Sequence, residues 1–541
     1  MMTESKNKIG RIAFTQYAAY KKLQALAEHP IDLSQEGVLT PERVDAFLAE
    51  SCGYKLLFGT QRVTKEVISA LLELAEESQV LEKLKKMQDG EIVNIIEGFP
   101  SENRNVLHTA ARDFFDTRKR SKVVEEAIEK SLKEHEKLKA FLQKIDSDKK
   151  FTDVVSIAMG GSDLGPKAVY YALKYLQKPG KNFHFISNVD PDATGKVLKN
   201  LNLSKTLVII GSKSGTTIET ASNEEFVRQR FKKAGLKPEE HFVSISMPGT
   251  PLDDKSRYLE CFHIWDNIGG RFSTSTMFGG LLLSLSIGYD NYFEFLRGCN
   301  AMDKAALNPD YKQNLPLMQA LIGIWNRNFL NHANLAIIPY SEALFRFPAH
   351  IQQVDMESDG KHTDRHGNRV DFETGPLVWG EPGTSAQHSF FQLIHQGTTI
   401  VPLEFIAFKE CQYGQDNLYK GSTNQQKLIA NCIAQAIALA QGRKNENPNK
   451  DFEGNRPVSI LLAQKLTPFT MGALFALYEQ KVAIQGFIWD INSFDQEGVQ
   501  LGKVLAEKIT EEIIAVEKEG LSKGGTYPLG DAYLKQLDSI H

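Results

Sequence analysis

The sequence predicts an α/β protein of two doubly wound domains, with mainly parallel sheets and a helical N-terminal segment. Three observations predict it. Up to about Lys150, the stretches ERVDAFLAES, VTKEVISALLELAEESQVLEKLKKM and VVEEAIEKSLKEHEKLKAFLQKI carry apolar residues at three- and four-residue spacing, the period of an amphipathic helix. Short β-branched runs then alternate with helix-length segments, which predicts strands over 154–159 (VVSIAM), 183–186, 206–210, 242–245 and 262–265. Strand alternating with helix means parallel βαβ units with right-handed crossovers and a sheet covered on both faces. After Asn300 a second such series follows, with strands expected over 335–340 (LAIIPY), 398–408 (TTIVPLEFIAF), 457–463 (PVSILLA) and 481–489 (KVAIQGFIW).

A chain of 541 residues is too long for one hydrophobic core. The expected division is a helical segment at 1–110 packing on the larger domain, a smaller α/β domain at 111–285, a larger one at 286–490 and a C-terminal helical arm at 491–541. The stretch SILLAQKLTPFTMGALFALYE repeats the strand, hydroxyl-bearing loop and helix seen around 206–233, although that succession is common in α/β proteins.

The composition, 42% hydrophobic and 24% charged, is that of an ordinary globular protein. Lysines and arginines number 63 against 67 acidic residues, a net charge of −4, with no acidic or basic tail, so nothing points to nucleic acid or an anionic membrane as partner. Five scattered cysteines, Cys52, Cys261, Cys299, Cys411 and Cys432, without a C-x-x-C pair, form neither a disulfide framework nor a zinc site, and the expected compartment is a reducing cytoplasm. The opening MMTESKNKIGRIAF lacks the apolar core of a signal peptide, and TMFGGLLLSLSIGY is too short and serine-rich to span a bilayer.

The loop after the third strand, GSKSGTTIET (211–220), admits two readings. Thr216 and Glu219 have the T-x-x-E spacing of a capping box, in which each side chain satisfies a backbone N–H at a helix start. Ser212, Ser214, Thr217, Thr220 and Lys213 are surplus to a cap. They suit a phosphate ester at the carboxyl end of a parallel strand, where helix N-terminal amides favour an anion and hydroxyl donors fill its other acceptor positions. The loop lacks G-x-x-x-x-G-K-[ST], so a nucleoside triphosphate is not implied. The turn after the first strand, GGSDLG (160–165), departs from G-x-G-x-x-G, and its Gly161 and Ser162 leave room either for a structural turn or for a small ligand.

Arg271, after two glycines in NIGGRFS, could tie a loop to a carboxylate or stand as a fixed cation beside developing negative charge. Glu357 lies at an apparent helix end after FPAHIQQ, and His388 and His395 lie two turns apart on the expected helix AQHSFFQLIHQG, where one of the pair suits a core role. Lys503 sits on an amphipathic helix, GVQLGKVLAEKITEEIIAVEKE. There is no H-E-x-x-H, no calcium loop and no Cys/His cluster, and neither metal nor cofactor is expected.

Together AMGGSDLGP, GSKSGTTIET, DNIGGRFS, QQVDMESDGK, VWGEPGTSAQHSFFQLIHQGT and IWDINSFDQEGVQLGK resemble, in order and spacing, the motifs of the glucose-6-phosphate isomerase family, over about Arg104 to Lys508. The resemblance implies two sugar-isomerase (SIS-type) domains in a homodimer, with the active site between domains and completed by the second subunit, and a small sugar phosphate as substrate. It assigns the phosphate to Ser212, Lys213, Ser214, Thr217 and Thr220 with Ser162 nearby. It makes Glu357 the base, His388 and Lys503 the ring-opening pair, Arg271 the enediolate-stabilising cation, and Gln353 and Gln496 substrate-binding amides. His388 comes from the neighbouring chain in that pattern. Departures are Glu497 and Gln500, where many members have tryptophan and glutamate, Ser385-Ala386 for Asn-Gly, and TSTM for LWSA. A regulatory module that binds a sugar phosphate without catalysis is the alternative, and it predicts loss of Glu357, Arg271, His388 or Lys503.

Overall fold

The structure, a computed structural model, describes residues 13–519 and 527–540. It falls into two compact units divided between Ser493 and Phe494.

The first departure from expectation comes early. ERVDAFLAES is helical only over Pro41–Ala46, after which Leu48–Ser51 (β1) and Tyr54–Leu57 (β2) pair antiparallel as a hairpin. Its two-residue turn is Cys52-Gly53, with φ +50° and +82°, the left-handed pair that matches hairpin twist. Tyr54 and Leu56 are buried and Lys55 between them is exposed, a period of two that is too brief to stand out against the helical spacing around it.

Helix α1 (Lys122–Asp148) starts at Ser121, whose hydroxyl accepts from Val124 N–H, and runs into the smaller sheet. That sheet holds β3 (Asp153–Ala158), β4 (Asn182–Ile186), β5 (Thr206–Gly211), β6 (Phe242–Ser246) and β7 (Glu260–His263), all parallel, in the order β4-β3-β5-β6-β7. Alternate residues serve opposite layers. Val154, Leu207, Ile209, Val243 and Ile245 pack with Phe141 and Leu142 of α1 and with Leu281 of α4 (Met277–Ile287). Val155, Ile157, Val208 and Ile210 pack with Val227 and Phe231 of α3 (Ile218–Lys233). Helix α2 (Gly161–Ala172) follows β3. Burial on both faces is why the central strands β3, β5 and β6 read as mostly apolar runs, while edge strand β4 is only half-buried. β7 begins two residues before its predicted start, because charged Glu260 opposite Val243 lies outside the apolar run.

The larger sheet is β1-β2-β11-β10-β8-β9, with β8 (Asn334–Pro339), β9 (Leu377–Trp379), β10 (Leu403–Phe408) and β11 (Val458–Ala463) mutually parallel and β2 antiparallel to β11. β10 starts at Leu403 rather than 398, after Pro402, which has no N–H for the ladder. The expected strand 481–489 is instead the end of α6 (Pro468–Trp489). Every residue of α6 from Met471 to Trp489 is buried, Glu479, Gln480, Lys481 and Gln485 included, so no solvent face marks the helix and its 3.6 period vanishes. Between β8 and β9 in sequence lies α5 (Phe347–Asp359), with Pro348 in its first turn. Among the described residues no helix is long and apolar enough to cross a membrane.

The second unit contains α7 (Gln500–Glu519) and a further helix, Pro528–Asp538.

Candidate active site

In the smaller sheet the strand order reverses between β3 and β5, and the crevice beyond the carboxyl ends of such a strand pair is where open α/β sheets bind ligands. The loops that leave those two ends are GGSDLG and GSKSGTTIET.

In the first loop, Gly160 has φ +54°, and Gly161 touches another turn. A Cβ on Gly161 would lie 2.2 Å from the carbonyl carbon and oxygen of Gly270 and 2.5 Å from Arg271 N, so a side chain here would drive the Arg271 turn away. A Cβ on Gly160 would stand 3.5 Å from Gln353 Nε2. Glycine thus lets the end of β3, the Arg271 turn and α5 converge. Ser162, half-buried, donates its N–H to Met159 O at the start of α2.

The second loop is held without being exhausted. Ser212 Oγ and Thr217 Oγ1 lie 2.9 Å apart, and Thr216 directs both its N–H and its hydroxyl to Ser214 Oγ. Gly215 has φ +68° and fits against Thr250. The expected capping box is absent. The N-cap of α3 is Thr217, one residue later than Thr216, and its side chain makes no cap bond, because the hydroxyls of Thr216 and Thr217 turn to the two serines. Thr220 is 2% exposed and its hydroxyl has no hydrogen-bond partner. A cavity of about 250 Å³ opens here, lined by Ser212, Gly215, Thr217 and Thr220, with Glu224 on its wall. Glu224 is occupied by Arg228 Nε and Tyr258 O–H, each at 2.6 Å. Lys213 Nζ donates to Asp266 O at 2.5 Å and stands 3.2 Å from the Asp266 carboxylate. Burial, and then the nearby Arg104 cation, pull the Lys213 ammonium below its ordinary pKa.

The third element is Arg271, in a 3-10 turn at Gly270–Phe272. Its guanidinium is fully buried: Nε donates to Ser358 Oγ at 2.7 Å and Nη2 to Ser493 O at 2.6 Å. Nη1 lies 3.5 Å from Glu357 Oε2, and the Glu357 side chain keeps 18% exposure. Gln353 and Glu357 are one turn apart on α5 and share a face. His108 is stacked on Phe272, and burial followed by the Arg112 and Arg271 cations holds its imidazole well below the ordinary range, hence neutral.

His388 and His395 part company. The helix expected over 386–397 is two pieces, a 3-10 turn at Ser385–His388 and a helix at Phe391–Gln396, broken at Ser389 (φ −118°, ψ −80°), where Phe390 turns onto Trp379. His388 is exposed, whereas His395 is half-buried against Phe452 with a ring nitrogen 2.8 Å from Gln435 Oε1. In the second unit, Gln496 precedes a 3-10 turn at Glu497–Val499 and Lys503 lies in the first turn of α7, both exposed.

The structure therefore clusters Gly161, Arg271, Gln353 and Glu357, and ties Lys213 to Asp266, five residues before Arg271. Sequence reading passed over Ser358, Ser493 and Asp266. Ser358 follows Glu357 in QQVDMESDGK, Asp266 opens DNIGGRFS and Ser493 falls within IWDINSFDQEGVQLGK, but nothing local in those motifs gives any of the three a role. Among the described residues no group of three or more His, Cys, Asp or Glu side chains is placed to hold a metal ion.

Fold and site together define an α/β protein that presents a carboxylate, a guanidinium and a hydroxyl-rich anion loop at the switch point of a parallel sheet. The family model described as phosphoglucose isomerase matches residues 57–528. The chain is 57% identical over 526 residues to a glucose-6-phosphate isomerase of Protochlamydia amoebophila, covering 97% of each, and 49% identical to that of Chlamydia caviae, covering 94% of this chain and 96% of the relative. Among solved structures, a glucose-6-phosphate isomerase from Chlamydia trachomatis superposes with a TM-score of 0.93 at 46% identity, covering 98% of this chain and 100% of that one. A hypothetical protein from Thermus thermophilus superposes at 0.64 with 26% identity, covering 83% and 99%. The chain belongs to the phosphoglucose isomerase family.

Proposed function

We propose that the protein interconverts D-glucose 6-phosphate and D-fructose 6-phosphate through ring opening and a cis-enediolate, in glycolysis and gluconeogenesis. The observation that carries the reading is the carboxylate of Glu357 standing 3.5 Å from the buried guanidinium of Arg271, beside Gln353 and the Gly160-Gly161 turn. In the aldose-to-ketose direction Glu357 takes the proton from C2, and the C2–H electron pair forms the C1=C2 bond as the C1 carbonyl becomes an oxyanion. The proton returns to C1 on the same face, while the C2 hydroxyl gives up its proton to the C1 oxyanion and becomes the new carbonyl, so C1 ends as CH2OH and C2 as C=O. Negative charge grows on the oxygens of C1 and C2, where a fixed guanidinium lowers the barrier and does the work another enzyme gives to a metal ion. No cofactor enters the scheme.

Ser212, Lys213, Ser214, Thr217 and Thr220, with Ser162 nearby, serve the phosphate, whose binding energy positions the sugar, and Gly161 admits the substrate closely. Family resemblance gives His388 and Lys503 the ring-opening proton transfers, and Gln353 and Gln496 the sugar hydroxyls. His388 acts on the site of a second copy in a homodimer, a role that suits its exposure. Residues 111–285 and 286–490 serve as the two sugar-isomerase domains, with 1–110 on the larger and 491–541 as the arm. All five cysteines are free, which fits a cytoplasmic location.

The test is fructose 6-phosphate turnover in chelator-treated buffer by wild type and Glu357→Gln. The variant should lose about 10³-fold in kcat with little change in KM. Substantial activity in the variant removes Glu357 from its role, and a wild type that binds fructose 6-phosphate without turning it over is a regulatory module instead.

A further inference from the structure

Arg271 must point at oxygens that carry charge only in passing, so what fixes its plane matters to the rate. Two of its contacts come from other segments: Ser358 on α5, and the backbone carbonyl of Ser493 in the segment after α6. Ser493 is fixed in turn. Its hydroxyl donates at 2.7 Å to Oδ1 of Asp359, the last residue of α5. Asp359 lies two residues past Glu357, thus on the far side of the helix from the base, and has no exposure. The approach is permitted by Gly486 of α6, where a Cβ would fall 1.8 Å from Ser493 Oγ and 3.3 Å from Asp359 Oδ1. Asp359 O accepts from the N–H groups of Gly375 and Lys361, which fixes the helix end. A buried carboxyl group is costly unless bonded, and Asp359 Oδ1 accepts its bond from the residue that carries the Arg271 acceptor.

We propose that Asp359 is a positioning residue that, through Ser493, aims the Arg271 guanidinium at the oxygens where the isomerisation builds negative charge. The inference rests on the isomerase reading and deepens it. Helix α5 then acts on both sides: Glu357 on one face moves the proton, and Asp359 on the other holds the strut behind the cation. Preorganised charge is worth most when it need not reorient during the reaction, so loosening the strut raises the barrier and leaves ground-state binding alone.

Ser493→Ala leaves the backbone carbonyl in place and removes only the hydroxyl. Its kcat for fructose 6-phosphate should fall about tenfold while KM stays within about twofold. Binding of a five-carbon aldonate 5-phosphate, whose carboxylate puts charge where the enediolate does, should weaken by a similar factor. Asp359→Ala should lose as much, and Asp359→Asn, which keeps an acceptor oxygen for Ser493, should recover at least about threefold of that loss. The double variant Ser493→Ala/Asp359→Ala should be no worse than either single, because both break one strut. If Asp359→Ala does not fold, Ser493→Ala and Asp359→Asn still decide. Unchanged kcat in Ser493→Ala, or KM rising as far as kcat falls, overturns the proposal. An active Glu357→Gln overturns the isomerase reading itself, whereas an inactive Glu357→Gln beside an unaffected Ser493→Ala sinks the strut alone.

Discussion

Two strand-loop-helix units, β5 into α3 and β11 into α6, look alike in sequence and spend their hydroxyls differently. At the start of α6, Thr467 Oγ1 accepts from Thr470 N–H while Thr470 Oγ1 accepts from Thr467 N–H, a complete capping box, and the Thr470 hydroxyl bonds on to Lys465 O. At the start of α3, the N-cap Thr217 makes no cap bond, and Thr220 keeps a buried hydroxyl with no partner. The first set is closed upon itself. The second retains donor capacity facing a cavity, at a cost the free protein bears. Hydroxyl count does not separate a ligand loop from a cap; what remains unspent does.

The strongest way to break the contrast is Lys213→Ala. Lys213 is drawn below its usual pKa by burial, yet its carboxylate partner Asp266 is 63% exposed, so the pair is screened and worth under about 1 kcal/mol to the fold. An anion in the loop offers more, and its loss is a charge-assisted bond of about 2 kcal/mol. KM for fructose 6-phosphate should rise about thirtyfold, with the urea midpoint nearly unmoved. A large loss of stability with unchanged KM would make Lys213 a structural brace.

Thr467→Ala should do the reverse. Removing the cap of α6 should cost about 1 kcal/mol in denaturant unfolding and leave KM alone. A rise in KM of tenfold or more would mean that the closed loop also serves the ligand, and the contrast would fail.

How much of this was legible beforehand follows the same division between local and long-range causes. Strands β3, β5 and β6 were readable because burial on both faces leaves mostly apolar runs, and GSKSGTTIET because five polar side chains beyond those a cap needs crowd one strand end. The end of α6 was misread as a strand because uniform burial erases periodicity, and the β1-β2 hairpin because four-residue strands give too few alternations. The cap on α3 was misplaced because T-x-x-E spacing does not reveal that Ser212 and Ser214 compete for the threonine hydroxyls. Ser358, Ser493 and Asp359 were invisible as a set, since the bonds joining them to Arg271 span separations of 87 to 222 residues.

The smallest expected effect is the most discriminating. Thr220→Val keeps shape and β-branching and removes one hydroxyl that is buried and unpaired in the free protein. A hydroxyl kept only for the fold would be bonded, and its removal would destabilise; an orphaned one should cost nothing, or return up to about 1 kcal/mol. Ligand reverses the sign. Inorganic phosphate raises the unfolding temperature in proportion to its affinity for the native state, so it should stabilise wild type more than Thr220→Val, and the two melting curves should draw together or cross as phosphate is added. KM for fructose 6-phosphate should rise about threefold. A variant less stable than wild type without phosphate, and equally stabilised by it, would place the Thr220 hydroxyl with those of Thr467 and Thr470 as part of the helix start, and the two loops would differ in sequence only.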